Sequence, residues 1–303
     1  MTTTSMDPPH RRVWSGLASD DPDAEIGILG IPFDGASSFR RGSAEAPDRI
    51  RSLTPHTAPF TEEGNPLAGL RLRDYGNVNT DSPWEAFSAA VTEAAPRVLR
   101  HPFALFLGGD HSVTIPLVTA AARTVEAPLG ILHLDAHLDL MGTFEGHASS
   151  HACTARRILD LPNVDPSLFA FVGTRSWLGD EQAYLADHPE VGVHTARDVF
   201  THGIEATAES VCARLQDAAA VYITIDIDVL DPAFAPGTGT PEAGGLSTRD
   251  LLELLRPVFR ELPIRALDLV EVSPPLDHSD ITSFAAIKVI YEVLGWVRAK
   301  RSA

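Results

Sequence analysis

The chain has 303 residues and a formal net charge of −17, with 24 lysines and arginines against 41 aspartates and glutamates. A hydrophobic fraction of 44% and a charged fraction of 21% are typical of a globular protein and exclude a largely disordered chain. The acid excess argues against a nucleic-acid partner, because binding phosphates requires clustered lysines and arginines.

Along the chain, a polar segment is followed by alternating strands and helices. Residues 1–23 are rich in Thr, Asp and Pro and are predicted to form a loose, flexible N-terminal arm. Beyond them, short apolar runs typical of strands buried on both faces alternate with helix-like segments. The predicted strands are 26–31, 103–107, 129–134, 168–172, 191–194, 221–227 and 264–270. The predicted helices are 84–99, 114–125, 152–160, 204–218, 248–259 and 282–297.

This alternation predicts the fold class and the place of the functional site. Strands that alternate with helices form a mostly parallel central sheet with helices on both faces, which is a three-layer α/β/α architecture. Residues 24–303 contain no linker and no internal repeat, so one domain is predicted. In such folds ligands bind beyond the carboxyl ends of the strands. We therefore expect function in the residues that follow each strand.

Three features bear on location. The N-terminus lacks the apolar stretch of a signal peptide. The longest apolar runs have the length of strands, so no membrane span is predicted. Two cysteines, Cys153 and Cys212, are too few for a disulfide framework. The expected location is the cytoplasm.

Histidines and aspartates follow three of the predicted strands, in the segments Gly108-Gly109-Asp110-His111-Ser112, Asp135-Ala136-His137-Leu138-Asp139 and Asp226-Ile227-Asp228. In extended backbone, alternate side chains share a face, so the acids in each of the last two segments point one way. Four carboxylates at adjacent strand ends would repel one another, and divalent metal ions would remove that repulsion. Mixed carboxylate and imidazole ligands suit manganese or another first-row ion better than calcium, and the lack of thiolates argues against structural zinc.

These three segments resemble the signature motifs of the ureohydrolases, the family of arginase, agmatinase, guanidinobutyrase and formiminoglutamase. The resemblance extends from residues 30–34 to residues 271–274 in the family's order. Residues 237–242, Gly-Thr-Gly-Thr-Pro-Glu, look most like the agmatinase branch. Leu140 and Met141 stand where arginase has polar residues that grip its substrate, so arginase activity is not expected.

The resemblance implies a single α/β/α domain with two manganese ions, assembled as a homotrimer or homohexamer, with nickel or another first-row ion as the alternative metal. One ion would be held by His111, Asp135, Asp139 and Asp226. The other would be held by His137, Asp135, Asp226 and Asp228, with Asp135 and Asp226 bridging.

The resemblance also implies catalytic roles. A hydroxide bound by two divalent ions is a strong nucleophile at neutral pH. Asp228 would orient it and pass its proton to the leaving nitrogen, and Glu271 would bind the guanidinium of the substrate. A histidine would shuttle protons at the mouth of the site; His151 is favoured and His147 is the alternative. Thr240 is a weaker candidate for lining the site.

The predicted function is hydrolysis of a linear, agmatine-like guanidino compound to urea and an amine. Alternatives are a guanidinobutyrase or other guanidino-acid hydrolase, a formiminoglutamase that releases formamide, and a catalytically silent metal-binding relative. A one-zinc, deacetylase-like enzyme and a nucleophilic Cys153 beside His151 are weaker alternatives. The substrate's tail stays open, because Arg156 or Arg157 would either meet a carboxylate or form structural salt bridges.

Overall fold

The structure, a computed structural model, describes residues 13–79, 83–124 and 128–302. Within these residues, eight strands form one sheet in which every pairing is parallel. The strands are β1 (Ile26–Gly30), β2 (Leu72–Asn77), β3 (Phe103–Leu107), β4 (Leu129–Leu134), β5 (Val164–Thr174), β6 (Gly192–Thr195), β7 (Ala220–Asp226) and β8 (Ile264–Val270). Their order across the sheet is β2-β1-β3-β8-β7-β4-β5-β6.

Helices cover both faces of this sheet. They are α1 (Ala46–Leu53), α2 (Trp84–Ala94), α3 (Pro96–Leu99), α4 (Thr114–Thr124), α5 (Thr154–Leu159), α6 (Gly179–Asp187), α7 (Ala196–His202), α8 (Ile204–Leu215), α9 (Thr248–Glu261) and α10 (Ile281–Ser302). Alternate residues of β3 enter different apolar clusters. Phe103 and Leu105 pack in one cluster, whereas Ala104 and Phe106 pack in the other. Because successive side chains of a strand point to opposite faces, the two clusters are the two cores of a three-layer α/β/α fold. The predicted fold class is confirmed.

The elements that the sequence did not predict are polar or short. Strand β2 lies at the edge of the sheet, and of its six residues only Leu72 is buried. An edge strand with one buried residue lacks the continuous apolar run that marked the others. Helices α1, α6 and α7 have 8, 9 and 7 residues, which is too short for a clear helical period.

Several predicted helices have different limits in the structure, and the first and third of them differ in how they divide or begin. Residues 84–99 form α2 and α3 rather than one helix, and α3 begins at Pro96. Proline has no amide hydrogen for the helix ladder, so it favours the first position of a new helix. The helix predicted from residue 152 begins at Thr154, after a short 3₁₀ turn. Val125, the predicted end of α4, lies outside the described residues, as do residues 1–12 of the predicted arm.

The described part of the N-terminal segment is packed, which differs from the loose arm predicted for residues 1–23. Trp14 has no exposed surface, and its indole Nε1 donates to Asp74 Oδ2 at 2.7 Å. Its backbone N–H donates to Thr54 Oγ1 at 2.7 Å. The composition of the segment suggested a solvated arm, but one large aromatic side chain is enough to anchor it.

Replacing Trp14 with Ala is expected to lower the free energy of unfolding by about 3–5 kcal/mol, because a fully buried indole and its hydrogen bond are lost. Urea unfolding followed by circular dichroism measures this loss. Trp14→Phe keeps the ring contact and should cost less. A loss in Trp14→Ala no larger than that of an exposed-site variant such as Val13→Ala would contradict this anchoring role.

The topology determines which strand ends meet. Because all strands are parallel, their carboxyl ends lie along one edge, and β3, β8, β7 and β4 are consecutive there. The three strands that precede the metal motifs were predicted to end side by side. In fact β8 separates β3 from β7, and Glu271 follows β8 directly. Among the described helices, none combines the length and the hydropathy that a membrane span requires.

Candidate metal centre

The six predicted metal ligands come together at the carboxyl edge of the sheet. His111 lies just beyond β3, and Asp226 is the last residue of β7. Five of the six side chains are almost fully buried, and His137 is 29% exposed. The structure therefore brings together residues that are up to 117 positions apart in the sequence, from His111 to Asp228.

The first group of ligand atoms surrounds the imidazole of His111. Its Nδ1 lies 2.9 Å from Asp135 Oδ2, 3.1 Å from Asp139 Oδ2 and 3.4 Å from Asp226 Oδ2. Three carboxylates on one ring nitrogen form a compact set of oxygen and nitrogen ligands, the kind that binds first-row divalent ions.

A second group surrounds His137. Its Nδ1 lies 3.1 Å from Asp228 Oδ2 and 3.4 Å from Asp135 Oδ1. Asp135 therefore presents one oxygen to each histidine. This position between the two groups is the one a bridging carboxylate would occupy.

The reason these side chains converge differs from the predicted one. Strand β4 ends at Leu134, so Asp139 is not on extended backbone, and its φ of 53° lies in the left-handed region. Asp228 lies in a 3₁₀ turn, where its backbone N–H donates to Asp226 Oδ1 at 2.9 Å. Strand alternation therefore does not orient these two acids; turns just beyond the strands do. A left-handed aspartate is sterically unfavourable, and such strain is typical of functional sites.

The electrostatics of the cluster favour added positive charge. Burial acts to lower the pKa of His111, but the three carboxylates around its Nδ1 atom outweigh burial and raise that pKa well above its usual value. Burial, followed by the charges of Asp228 and Asp135, raises the pKa of Asp226 well above its usual range. Both shifts follow from the concentration of buried carboxylates in the cluster. A divalent ion bound there would balance this negative charge.

The hydrogen bonds of His111 leave one ring nitrogen for a metal. Thr224 donates its hydroxyl hydrogen to Asp268 Oδ1 at 2.6 Å, so its oxygen can accept from His111 Nε2–H at 2.9 Å. The buried Nδ1 atom then has no hydrogen-bond partner of acceptable geometry. A buried nitrogen without such a partner, facing three carboxylates, fits a metal ligand.

His133 is a site residue that the sequence analysis missed. It is fully buried on β4, its Nε2 lies 3.0 Å from Asp135 Oδ2, and its ring stacks on that of His111 at 4.7 Å. The signal was present, because His133 precedes Asp135 by two residues and so shares its face. A histidine inside an apolar strand was not singled out because it does not follow the strand.

Glu271 and His151 lie next to each other at the edge of the cluster. Glu271 is 2% exposed, and its Oε1 accepts from the His111 backbone N–H at 2.9 Å and lies 3.2 Å from His151 Nδ1. Its φ of 62° is again left-handed. Burial acts to lower the pKa of His151, but the hydrogen bond and charge of Glu271 raise it to about 9. These two contacts of Glu271 are with histidine residues.

The two alternative catalytic residues, His147 as a proton shuttle and Cys153 as a nucleophile, are less suited to these roles. His147 is exposed and does not line the cavity beside the metal cluster, whereas His151 does. Burial raises the pKa of Cys153 to about 11, and its thiol donates to the His147 carbonyl at 3.6 Å. A thiol that stays protonated is a poor nucleophile, which argues against a cysteine mechanism.

A cavity of about 190 Å³ opens onto the cluster. Thr240 lines it and donates to Asp228 Oδ2 at 3.3 Å, as the weaker prediction for this residue suggested. The first turn of α6, which follows β5, supplies Glu181, which is 3% exposed and accepts from the backbone N–H groups of Leu140 and Leu178. Sequence reasoning missed this residue, although the rule that ligands bind beyond strand ends applies equally to the segment after β5.

Comparison with known proteins identifies the family. The chain is 33% identical to an agmatinase of Chromobacterium violaceum over 92% of this chain and 85% of that protein. It is 34% identical to the proclavaminate amidinohydrolase of Streptomyces clavuligerus over 92% of this chain and 90% of that protein. A crystal structure of a hypothetical agmatinase from Burkholderia thailandensis superposes with a TM-score of 0.85 at 32% identity, over 94% of this chain and 90% of that one. The model of the arginase family matches residues 24–295, so this chain belongs to the arginase family.

Proposed function

We propose that this protein is a binuclear manganese amidinohydrolase that hydrolyses a linear, agmatine-like guanidino compound to urea and an amine. The arginase family consists of hydrolases that act on C–N bonds of linear amidines. The observation that carries the proposal is the position of Asp135 between two groups of ligand atoms, with one oxygen toward His111 and the other toward His137. This arrangement suits two ions that share one carboxylate.

The chemistry divides between the metal and the protein. Two divalent ions bound by these residues would supply Lewis acidity and lower the pKa of water at the site. Asp228 is held by the Ala136 backbone N–H on Oδ1 at 3.1 Å and by Thr240 on Oδ2 at 3.3 Å. A carboxylate held in this way can take a proton from the attacking water and deliver it to the leaving nitrogen.

Glu271 and His151 would handle the substrate. The Glu271 carboxylate is buried beside His151, and a planar guanidinium can pair with it through charge-assisted hydrogen bonds. His151 lies within reach of both Glu271 and the cavity. With a pKa near 9, its ring carries a proton at neutral pH and can donate it to the departing amine.

A screen for urea release tests the proposal. Manganese-loaded protein is assayed with agmatine, arginine, 4-guanidinobutyrate, 3-guanidinopropionate and free guanidine, and formamide is measured with formiminoglutamate. We expect urea from at least one linear guanidino compound and none from arginine. Formamide release alone would favour the formiminoglutamase alternative. Turnover of none of these compounds, with manganese or with nickel, would favour the silent relative and overturn the proposal.

Replacing His151 with Asn is expected to lower kcat by roughly 10²-fold, the contribution typical of a positioned proton donor. The metal content should not change, because no ligand atom is removed. His147→Asn is the matched control, since the same residue type is replaced four positions away at an exposed site. An unchanged rate in His151→Asn together with a loss in His147→Asn would assign the proton shuttle to His147.

Assembly and location complete the proposal. We expect a homotrimer or homohexamer on the basis of the family resemblance, which light scattering of the purified protein would measure. The proposal of a cytoplasmic location rests on the two unpaired cysteines, Cys153 and Cys212.

A further inference from the structure

The cavity beside the metal cluster has two chemically different sides. The buried side is formed by polar groups of the cluster, among them Asp139 and Asp226. The side toward solvent includes Phe144, Trp177 and Leu178. Trp177 and Leu178 are 38% and 43% exposed, so they lie at the mouth. A substrate with its guanidinium at the cluster would lay its tail along this apolar wall.

Among the residues that the structure describes, no lysine or arginine lines this cavity. Its two histidines already face carboxylates, because His137 lies 3.1 Å from Asp228 and His151 lies 3.2 Å from Glu271. Arg156 and Arg157, the two cations considered from the sequence as partners of a tail carboxylate, form salt bridges with Asp160 at 3.5 and 3.0 Å. These salt bridges indicate that both arginines have a structural role.

Three other arginines lie near the site, and each has a partner outside this cavity. Arg41 lines the adjoining cavity and donates to the Gly35 carbonyl at 3.4 Å. Arg175 donates to the main-chain carbonyls of Asp228 and Glu242 at 2.6 and 2.7 Å. Arg40 Nε donates to the Gly239 carbonyl at 3.0 Å, and its guanidinium lies over the Phe39 ring.

The carboxylate of Glu181 further disfavours a substrate with a carboxylate tail. Glu181 lines the same cavity and is almost fully buried, so a second carboxylate brought beside it would meet a like charge. A carboxylate held against Phe144, Trp177 and Leu178 would leave water without gaining a cation, which is strongly disfavoured. A methyl group at the same place avoids this penalty, and an ammonium group would offset it through its attraction to Glu181.

We propose that this wall makes the enzyme selective for guanidino compounds whose far end is neutral or cationic, and that it rejects guanidino acids. The inference rests on the proposed function. Sequence similarity does not indicate which group the enzyme accepts at the far end of its substrate, because the chain is 33% identical to an agmatinase and 34% identical to a proclavaminate amidinohydrolase. The proposed selectivity therefore rests on the lining of the cavity.

Three substrates of matched length test the inference in the manganese-loaded wild-type protein: n-butylguanidine, agmatine and 4-guanidinobutyrate. We expect kcat/KM for the first two to exceed that for 4-guanidinobutyrate by about 100-fold or more. Fastest turnover of 4-guanidinobutyrate would overturn the inference and favour the guanidinobutyrase alternative, while leaving the metal-dependent amidinohydrolase activity of the proposed function intact. Urea release from none of the three, nor from the wider screen, would overturn both.

Charge substitution in the wall provides a second test. Leu178→Arg and Trp177→Arg each add a cation at the mouth, and at least one should raise kcat/KM for 4-guanidinobutyrate about tenfold or more while lowering it for agmatine. Phe200→Arg is the matched control, because Phe200 is 86% exposed on α7 and does not line this cavity. Phe200→Arg should leave the order of kcat/KM among the three substrates unchanged. No gain in either wall variant, or an equal gain in the control, would overturn the assignment of this wall to the substrate's tail.

Discussion

Replacing Asp135 with Asn is expected to abolish most of the hydrolytic activity, by roughly 10³-fold or more, and to remove at least one of the two metal ions. Asp135 has one oxygen 2.9 Å from His111 Nδ1 and the other 3.4 Å from His137 Nδ1, so a neutral amide weakens both groups at once. Asp226→Asn should also lower the activity and the metal content. Urea release gives the activity, and elemental analysis of dialysed protein gives the number of ions per chain.

Thermal unfolding separates loss of metal from loss of fold. Ions that bind only the folded protein raise its midpoint of unfolding, so manganese should stabilise the wild type more than Asp135→Asn. Asp217→Asn is a matched control, because it makes the same chemical change at an exposed residue. Full activity with two ions bound in either Asp135→Asn or Asp226→Asn would rule out the two-metal proposal.

The second large effect is expected for Glu271→Gln. The variant keeps the size of the side chain but removes the charge that would pair with a guanidinium, so kcat/KM should fall by roughly 10²–10³-fold. The metal content should stay at the wild-type value, because Glu271 contacts the His111 backbone N–H and not its ring. Glu271→Asp keeps the charge and should retain more activity than Glu271→Gln. Equal losses in the two variants would argue against charge pairing with the substrate.

The same variant has a predicted pH signature. Glu271 raises the pKa of His151 to about 9 by stabilising the protonated ring, and the amide of Glu271→Gln removes that charge. The pKa of His151 should therefore fall toward its ordinary value of about 6.5. If protonated His151 donates to the leaving group, the alkaline limb of the kcat profile moves to lower pH. A limb that does not move would separate His151 from the rate-limiting proton transfer.

Much of the candidate site could be predicted from the sequence because its chemistry lies in short segments. His111, Asp135 and Asp226 each follow or end an apolar run, and parallel strands bring such positions to one edge. Glu181 and His133 were missed for opposite reasons. Glu181 lies seven residues beyond the end of β5, in a helix that the sequence did not predict, and His133 lies inside a strand.

The sequence by itself determined the alternation of strands and helices and the identity of the six ligand candidates, since both depend on local patterns of apolar and polar residues. The tertiary structure decided the rest. The sheet order inserts β8 between β3 and β7, and left-handed turns orient Asp139 and Glu271. The apolar wall of the cavity is formed by Phe144, Trp177 and Leu178, which come from two separate segments of the chain. Strand order, turn geometry and the lining of a cavity depend on contacts between residues that are distant in sequence, and a local pattern of residue types does not encode such contacts.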